Sequence, residues 1–199
     1  MGILPGTKSR KKESADGLTQ DTLNKSIPEL HRARKEKQRS LNSTRRREMN
    51  ATEKKSAIAT LNKILEIELA GVVRYTHYSL MVFGYNRIPI VSWLKDNAKE
   101  GLDHAHRAGE LVTLMGGHPS LKIGPLLETE KHDIDDILRE SLEHEKAAVA
   151  QYYALLKLSE GKSVLLEEYA REMIPKEEMH LDEVNKMLRK PGDTKPFNE

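Results

Sequence analysis

Cysteine is absent from this sequence, and its absence excludes several classes of protein. Disulfide frameworks, zinc ribbons, rubredoxin-type sites and thiol catalysis all require the thiol. No apolar run reaches the ~20 residues that a membrane-spanning helix needs, and the N-terminus has no secretory apolar segment. We therefore expect a soluble, cytoplasmic protein with no membrane partner.

Aromatic residues are scarce, with two Phe and one Trp among 199 residues. Leu, Ile, Val, Ala and Met must fill the core, which favours helices packed on helices. With 37% hydrophobic and 32% charged residues, the length suits one compact domain with polar tails.

The charge is distributed unevenly along the chain. Residues 1–50 carry a net charge of +7 and residues 51–199 a net charge of −5. The first segment is also rich in small polar residues, so we predict a basic, disordered tail over 1–50, a helical domain over 51–190 and a short tail over 191–199. The basic tail is either simply solvated or a contact surface for nucleic acid.

Met49 is a candidate start of the native protein. It follows Arg45-Arg46-Arg47-Glu48 and precedes Thr52, a candidate helix N-cap. Purine-rich Arg and Glu codons before a Met resemble a ribosome-binding site, so translation from Met49 is a hypothesis that N-terminal sequencing tests.

Four segments show apolar residues at alternating steps of three and four, which is the period of one buried helix face. Gly, Pro and Asn residues separate the segments, and Pro175 lies inside the last one, where it removes a backbone hydrogen bond and should bend the helix. The predicted helices cover roughly residues 52–84, 90–116, 129–159 and 163–189.

The lengths of the links predict the topology. Short links make the first and second helices, and the third and fourth, antiparallel pairs. The twelve residues 117–128 between the pairs can extend ~40 Å, which is about the length of a ~26-residue helix. We therefore predict an all-α four-helix bundle with one long crossover between helices two and three.

Several polar residues interrupt the apolar stripes near the middle of each helix. A buried carboxylate is costly unless it is protonated, paired or bound to metal, and Glu-x-x-His places both side chains on one helix face. Carboxylates and imidazoles without thiolates suit iron or manganese. The residues on the stripes are Glu68, His104, Glu145, Glu177 and His180.

These stretches resemble the di-iron signatures of ferritins, and those of bacterioferritin most of all. The resemblance lies in Glu68 to Tyr75, His104-Ala105, His144-Glu145-Lys146 and Glu177-Glu178-Met179-His180. It covers about residues 55–189 and implies a ferritin-like bundle that binds two Fe ions, with Mn as another possible metal.

The resemblance also implies a role for each residue. It gives Tyr75 a place beside the di-iron centre, as the residue closest to the redox chemistry. It further implies that Glu68 and Glu145 are terminal carboxylates, one for each metal. Glu177 is implied as a bridging carboxylate, and His104 and His180 as the imidazole ligands. A supporting role for His144, next to Glu145, stays open.

The second motif departs from the family pattern. The family has Glu three residues before the histidine, where this sequence has Gly101. Glu100, four residues before His104, keeps the same helix face, whereas Asp103 is turned about 100° away, so Glu100 is our candidate for the second bridge. The haem methionine of bacterioferritin corresponds to Leu102, so haem binding by that route is not expected.

The resemblance implies a ferroxidase that oxidises Fe(II) with oxygen or peroxide for iron storage and detoxification, in a homo-oligomer. One alternative is another di-iron or di-manganese oxidase, of hydroxylase or catalase type, since fold and ligands do not fix the reaction. A second alternative is a DNA-protecting protein that uses the basic tail.

Overall fold

The computed structural model describes residues 27–44, 48–127 and 129–197. The chain divides into two units, Met1–Arg46 and Arg47–Glu199. In the first unit, helix α1 spans Ile27–Thr44 inside the segment that the sequence predicts as a tail, while residues 1–26 lie outside the described ones. Its residues 28–37 are all exposed, so it has no buried stripe from which periodicity could have revealed it.

The second unit contains the four predicted helices, and the ferritin-like all-helical fold is confirmed. Their ends differ from the sequence estimate by a few residues, as helix ends fray and are ambiguous. The largest difference is at α4, which begins at Ile134 rather than near 129. The helices are α2 (Ala51–Met81), α3 (Arg87–Leu114), α4 (Ile134–Ser159) and α5 (Val164–Met187).

The N-terminus of α2 is capped by Asn50, not by the expected Thr52. The Asn50 side chain accepts a hydrogen bond from Glu53 N at 2.9 Å, and the Glu53 carboxylate accepts one from Asn50 N at 3.0 Å. This reciprocal capping box satisfies two amides that the first turn leaves unpaired.

Contacts between the helices give their directions. Gly101 of α3 lies beside Glu68 of α2, and the turn that follows α2 leads directly into α3, so these two helices are antiparallel. The pairs Tyr75–Glu145 and Tyr152–Glu68 make α2 antiparallel to α4. It follows that α3 and α4 are parallel, as the long crossover requires.

The crossover between α3 and α4 runs along α2. Ser120 N donates to Asn62 Oδ1 at 2.8 Å, and Gly124 N donates to Glu66 O at 2.7 Å. A Cβ at position 124 would lie 3.0 Å from the same carbonyl oxygen, so glycine permits this close approach.

Apolar clusters fill the bundle on both sides of the polar residues. One cluster includes Leu61, Ala105, Tyr152, Leu166 and Met173. The others lie further along the helices and include Tyr78, Leu94, Ile137, Leu142 and Val184. The polar residues thus lie at a level between the apolar clusters, and none of the described helices is long and apolar enough to cross a membrane.

Candidate metal centre

Two groups of three side chains meet at this level of the bundle. The first consists of Glu68, His104 and Glu177, and the second of Glu145, Glu177 and His180. In each group, one ligand atom from every residue lies within 4.8 Å of the others. The structure therefore brings together five of the residues that the sequence singled out, and it places Glu177 in both groups.

Glu177 lies between the two histidines, with one oxygen directed to each. Its Oε1 is 2.9 Å from His104 Nδ1 and its Oε2 is 3.6 Å from His180 Nδ1. The residue is 2% exposed, and Oε1 has no hydrogen bond of ordinary geometry. A buried carboxylate oxygen in this condition is costly, and a metal ion beside it would remove the cost.

Glu100 also approaches both histidines, but from the other side of each ring. Its Oε1 is 3.6 Å from His104 Nε2 and its Oε2 is 3.4 Å from His180 Nε2, whereas the groups around Glu177 involve the Nδ1 atoms. Glu100 lines the same site as the other candidate residues, and its role as the second bridge stays a prediction. Asp103 is exposed, and Gly101 lies against Glu68, where an added Cβ would be 3.7 Å from Oε2.

Glu145 and Glu68 are each held by a tyrosine of the opposite helix. Tyr75 of α2 donates a short hydrogen bond to Glu145 of α4. Tyr152 of α4 donates to Glu68 of α2 at 2.8 Å. The two contacts are reciprocal, so a pseudo-twofold axis relates the halves of the site.

Sequence reasoning did not single out Tyr152 as a residue of the site. A signal was present, because Tyr152 follows Glu145 by the same seven-residue step that separates Tyr75 from Glu68. The two stretches share the pattern Glu-x-Ala-x-Val-x-x-Tyr, in 68–75 and in 145–152. This internal repeat predicts equivalent positions for the two tyrosines.

The electrostatics of the metal-free site depend on a balance between burial and pairing. Burial opposes a charge on His104, but pairing with Glu177 and Glu68 outweighs it and raises the pKa of His104 to about 10. Pairing with Glu177 raises the pKa of His180 to about 9, although burial opposes the shift. Despite its own burial, Glu177 is held at a pKa of about 2 by the two histidines.

Two other buried groups respond mainly to desolvation. Burial raises the pKa of Glu145 to about 7. Burial, with the nearby charge of Arg74, lowers the pKa of His144 to about 4. His144 also lies in the wall of the site, and its Nε2 would be 2.7 Å from a Cβ on Gly71.

The donor set fits two divalent cations better than a structural zinc ion. Two imidazoles and several carboxylates converge from four helices without a thiolate, which is a hard donor set typical of iron and manganese. Three buried carboxylates would balance most of the charge of two such ions. The reciprocal tyrosines would hold the terminal carboxylates in place, as outer hydrogen bonds do in metal sites.

A comparison with protein families matches residues 58–191 to the model of the ferritin-like domain. The chain belongs to the ferritin-like family. The matched region of this ferritin-like chain contains most of α2, all of α3, α4 and α5, and every residue of the candidate metal centre.

Solved structures show the same fold at low sequence identity. A ferritin-like, diiron-carboxylate protein from Bacillus anthracis is 22% identical with a TM-score of 0.62, over 71% of this chain and 100% of the other. The bacterioferritin of Desulfovibrio desulfuricans, described with its diiron site, is 24% identical with a TM-score of 0.61, over 69% and 80%. The dodecameric thioferritin of Bacteroides fragilis is 21% identical with a TM-score of 0.62, over 68% and 85%. No curated protein sequence matches the chain.

Proposed function

We propose that this ferritin-like chain binds two iron ions between its helices and oxidises Fe(II) to Fe(III) with oxygen or peroxide, for iron storage and detoxification. The observation that carries the proposal is the position of Glu177, which is shared by two groups of metal-binding residues. A shared carboxylate holds two metal ions close together, so that one oxidant molecule can take an electron from each.

We assign one metal position to each group of residues. Glu68 and His104 would hold the first ion, Glu145 and His180 would hold the second, and Glu177, which belongs to both groups, would be shared between them. Carboxylates favour the more highly charged Fe(III) product. Because the pKa values of His104 and His180 are about 10 and 9 in the metal-free protein, metal binding displaces protons from these rings and becomes tighter as pH rises.

Glu100 completes the site in our proposal by orienting the imidazoles. Its two oxygens lie 3.6 Å from His104 Nε2 and 3.4 Å from His180 Nε2, so in the metal-bound protein they would accept from these atoms and leave the Nδ1 atoms directed at the metals. A hydrogen bond to the distal nitrogen of a metal-binding histidine fixes the ring and its tautomer. Bridging of the metals by Glu100, expected from the sequence, would instead need its side chain to turn towards Glu177.

Storage of iron requires an assembly that encloses a mineral, so we propose that the chain forms a homo-oligomer. The dodecameric description of the Bacteroides fragilis protein supports an oligomer for this chain as well. We also propose a cytoplasmic location, because a cysteine-free sequence suits a reducing compartment. Leu102 offers no thioether for a haem iron, so the proposal includes no haem.

The test is an anaerobic titration with Fe(II), followed by addition of oxygen or peroxide. The wild type should bind two ions per chain tightly and oxidise both rapidly. Glu177→Gln should weaken binding at both positions by more than the ~10–100-fold that loss of an outer hydrogen-bond partner costs. Glu178→Gln is the matched control, since Glu178 is the adjacent carboxylate and is exposed. Equal binding by the two variants would refute the proposal.

The same donor set favours a second candidate, a di-iron or di-manganese oxidase of hydroxylase or catalase type. Manganese prefers the same oxygen and imidazole ligands. The number of irons taken up per chain separates the two functions, because a storage protein accumulates many and an isolated site holds two.

The basic N-terminal segment leaves a DNA-protecting function as a further alternative. Residues 1–50 carry a charge of +7, and contacts with phosphates weaken as salt rises. A gel shift with and without residues 1–48, at several salt concentrations, tests this alternative independently of the metal centre.

A further inference from the structure

A row of side chains leads from the first metal position to the protein surface. It starts at Glu68, whose two oxygens face in different directions. Oε2 lies 3.7 Å from His104 Nδ1, in the group that surrounds the metal position. Oε1 accepts the hydrogen bond of Tyr152, whose side chain is completely buried. The phenol of Tyr152 is thus one carboxylate away from the metal.

The next member of the row is Tyr169 of α5. Its ring meets that of Tyr152 edge to face, with centroids 5.9 Å apart. The Tyr169 side chain is also buried, and its hydroxyl has no hydrogen bond of ordinary geometry. The ring of Tyr169 thus provides a direct aromatic contact with Tyr152.

Arg107 of α3 ends the row at the surface. Its guanidinium carbon lies 5.2 Å from the centre of the Tyr169 ring, in a cation–π arrangement. The guanidinium is fixed by two hydrogen bonds to Glu172, of 2.9 and 2.7 Å, and both side chains are partly exposed. Two adjacent aromatic rings therefore span the distance from a metal-binding carboxylate to solvent.

The Glu145 metal position has a different pair of neighbouring aromatic rings. There Tyr75 donates to Glu145 and its ring lies 6.0 Å from that of Trp93. Tyr152 and Tyr169 therefore serve the Glu68 position only. Tyr153, next in sequence, is half exposed and donates to Glu178 on the outside of the bundle, so it belongs to neither pair.

We propose that Tyr152 is a redox-active residue that supplies one electron to peroxide at the Glu68 metal position while Glu68 takes up its phenolic proton, and that Tyr169 and Arg107 connect it to a reductant at the surface. This inference rests on the proposed function, since it needs Fe(II) and an oxidant at the site. It concerns the condition in which a single Fe(II) occupies the chain.

Tyr152 supplies the second electron that the reduction of hydrogen peroxide needs when a single Fe(II) is bound. Reduction of hydrogen peroxide to two water molecules takes two electrons and two protons. The single Fe(II) gives one electron and becomes Fe(III). Tyr152 gives the other electron and passes its phenolic proton to Glu68 Oε1, which holds it, while solvent supplies both protons that the reduction to two water molecules takes. Without this electron, one-electron cleavage of the O–O bond by Fe(II) would release a hydroxyl radical.

The Tyr152 radical is then reduced back to tyrosine by an electron that arrives through Tyr169. An Fe(II) ion at the surface is oxidised to Fe(III), its electron passes through Tyr169 to the Tyr152 radical, and the proton returns from Glu68. The sum of the two steps is oxidation of two Fe(II) by one peroxide, although only one ion occupied the metal centre. The charged Arg107 and Glu172 mark the end at which the external ion donates.

The experiment uses the full-length chain loaded with one Fe(II) and mixed with one equivalent of hydrogen peroxide. Samples frozen after mixing are examined by electron paramagnetic resonance for a tyrosyl radical, and parallel samples are assayed for hydroxyl radical with a spin trap. The wild type and Tyr153→Phe, the matched control, should both give the tyrosyl signal. In Tyr152→Phe the signal should be lost or reduced to that of Tyr75, and trapped hydroxyl radical should rise.

In Tyr169→Phe the Tyr152 radical should still form, but excess Fe(II) should reduce it back to tyrosine more slowly than in the wild type.

The wild type offers a check that needs no variant, because a nitroxide trap should attach to Tyr152 and not to Tyr153 in the peptide 147–157. Equal radical and hydroxyl yields in Tyr152→Phe and the wild type would overturn the inference, as would a trap adduct on Tyr153 alone. Normal binding of two Fe(II) by the same variants in a separate anaerobic titration would show that the metal centre itself is intact. If instead the wild type binds no Fe(II), the proposed function fails first.

Discussion

Gly71 of α2 lies directly against the imidazole of His144 of α4: a Cβ at position 71 would be 2.7 Å from His144 Nε2. This contact lets the two helices approach closely beside the metal centre. His144 is held neutral there by burial, which lowers its pKa to about 4, and it forms part of the wall of the site.

We predict that Gly71→Ala lowers the free energy of unfolding by ~1–3 kcal/mol, because the added methyl group forces His144 and its helix to move. The matched control is Gly109→Ala in α3, where nothing lies within 4 Å of the added Cβ. There the better helix propensity of alanine should stabilise the protein by ~0.5–1 kcal/mol. Urea denaturation of the metal-free proteins measures both, and stabilisation by both substitutions would contradict the close contact.

Glu100→Ala should weaken metal binding by ~10–100-fold, the usual cost of losing a partner that orients a metal ligand. Asp103→Ala should leave binding unchanged, because Asp103 is an exposed carboxylate on another face of α3. Isothermal titration with Fe(II) under anaerobic conditions gives the affinities.

Glu100→Gln separates the two possible roles of this residue. An amide oxygen can still accept from one imidazole N–H, so an orienting role predicts an affinity between those of the wild type and Glu100→Ala. A bridging role predicts that the Gln and Ala variants lose equal affinity. A larger loss in Asp103→Ala than in either Glu100 variant would show that our assignment of this helix face is wrong.

The stability of the metal-free protein should fall as pH rises from about 5 to about 9. The pKa of Glu145 is raised to about 7 on folding, so its protonated form stabilises the folded state and is lost through that range. The pKa values of His104 and His180 are raised to about 10 and 9, so their charged forms stabilise the folded state fully below 6.5 and are lost as pH rises further.

Below about pH 4.5 the trend should reverse, because the lowered pKa of Glu177 makes its ionised form stabilising and acid removes it. Thermal melts across this pH series test the prediction. A metal-free protein that is more stable at pH 9 than at pH 5 would be incompatible with the pairing described for these residues.

Bound metal should stabilise the protein against heat, by about 2.7 kcal/mol at a free concentration of 100 times Kd. Unlike the metal-free form, the Fe- or Mn-loaded form should gain this stabilisation increasingly as pH rises, because the metal displaces protons from His104 and His180. Double substitution of Glu68→Ala and His180→Ala should abolish the metal-dependent shift without loss of helix content by circular dichroism. A shift of normal size in the double variant would place the metal elsewhere.

The fold was predictable from the sequence where apolar residues repeat with the helical period. The stripes through Leu61, Leu142 and Leu166 identified α2, α4 and α5, and the length of the link after α3 identified the crossover. Helix α1 was not predictable in this way, because its residues 28–37 are all exposed and form no buried apolar face with the helical period.

The candidate site was predictable only in its helix positions. Spacing placed Glu68, Glu145 and Glu177 on buried faces, but it could not say which nitrogen of each histidine faces which carboxylate. The side-chain direction of Glu100 depends on how far α3 and α5 are apart, and this distance is set by packing. Tyr152 was overlooked because a buried tyrosine is common in a core, and its partner Glu68 is 84 residues away.

The two groups of metal-binding residues differ in where they come from along the chain. Glu145, Glu177 and His180 all belong to the α4–α5 hairpin, whereas Glu68 and His104 come from the α2–α3 hairpin and use Glu177 of the other. One metal position can therefore form within a single hairpin during folding, before the halves of the bundle meet. The other exists only after docking, so the ion that occupies it acts as a clamp between the hairpins, and its release would loosen their association.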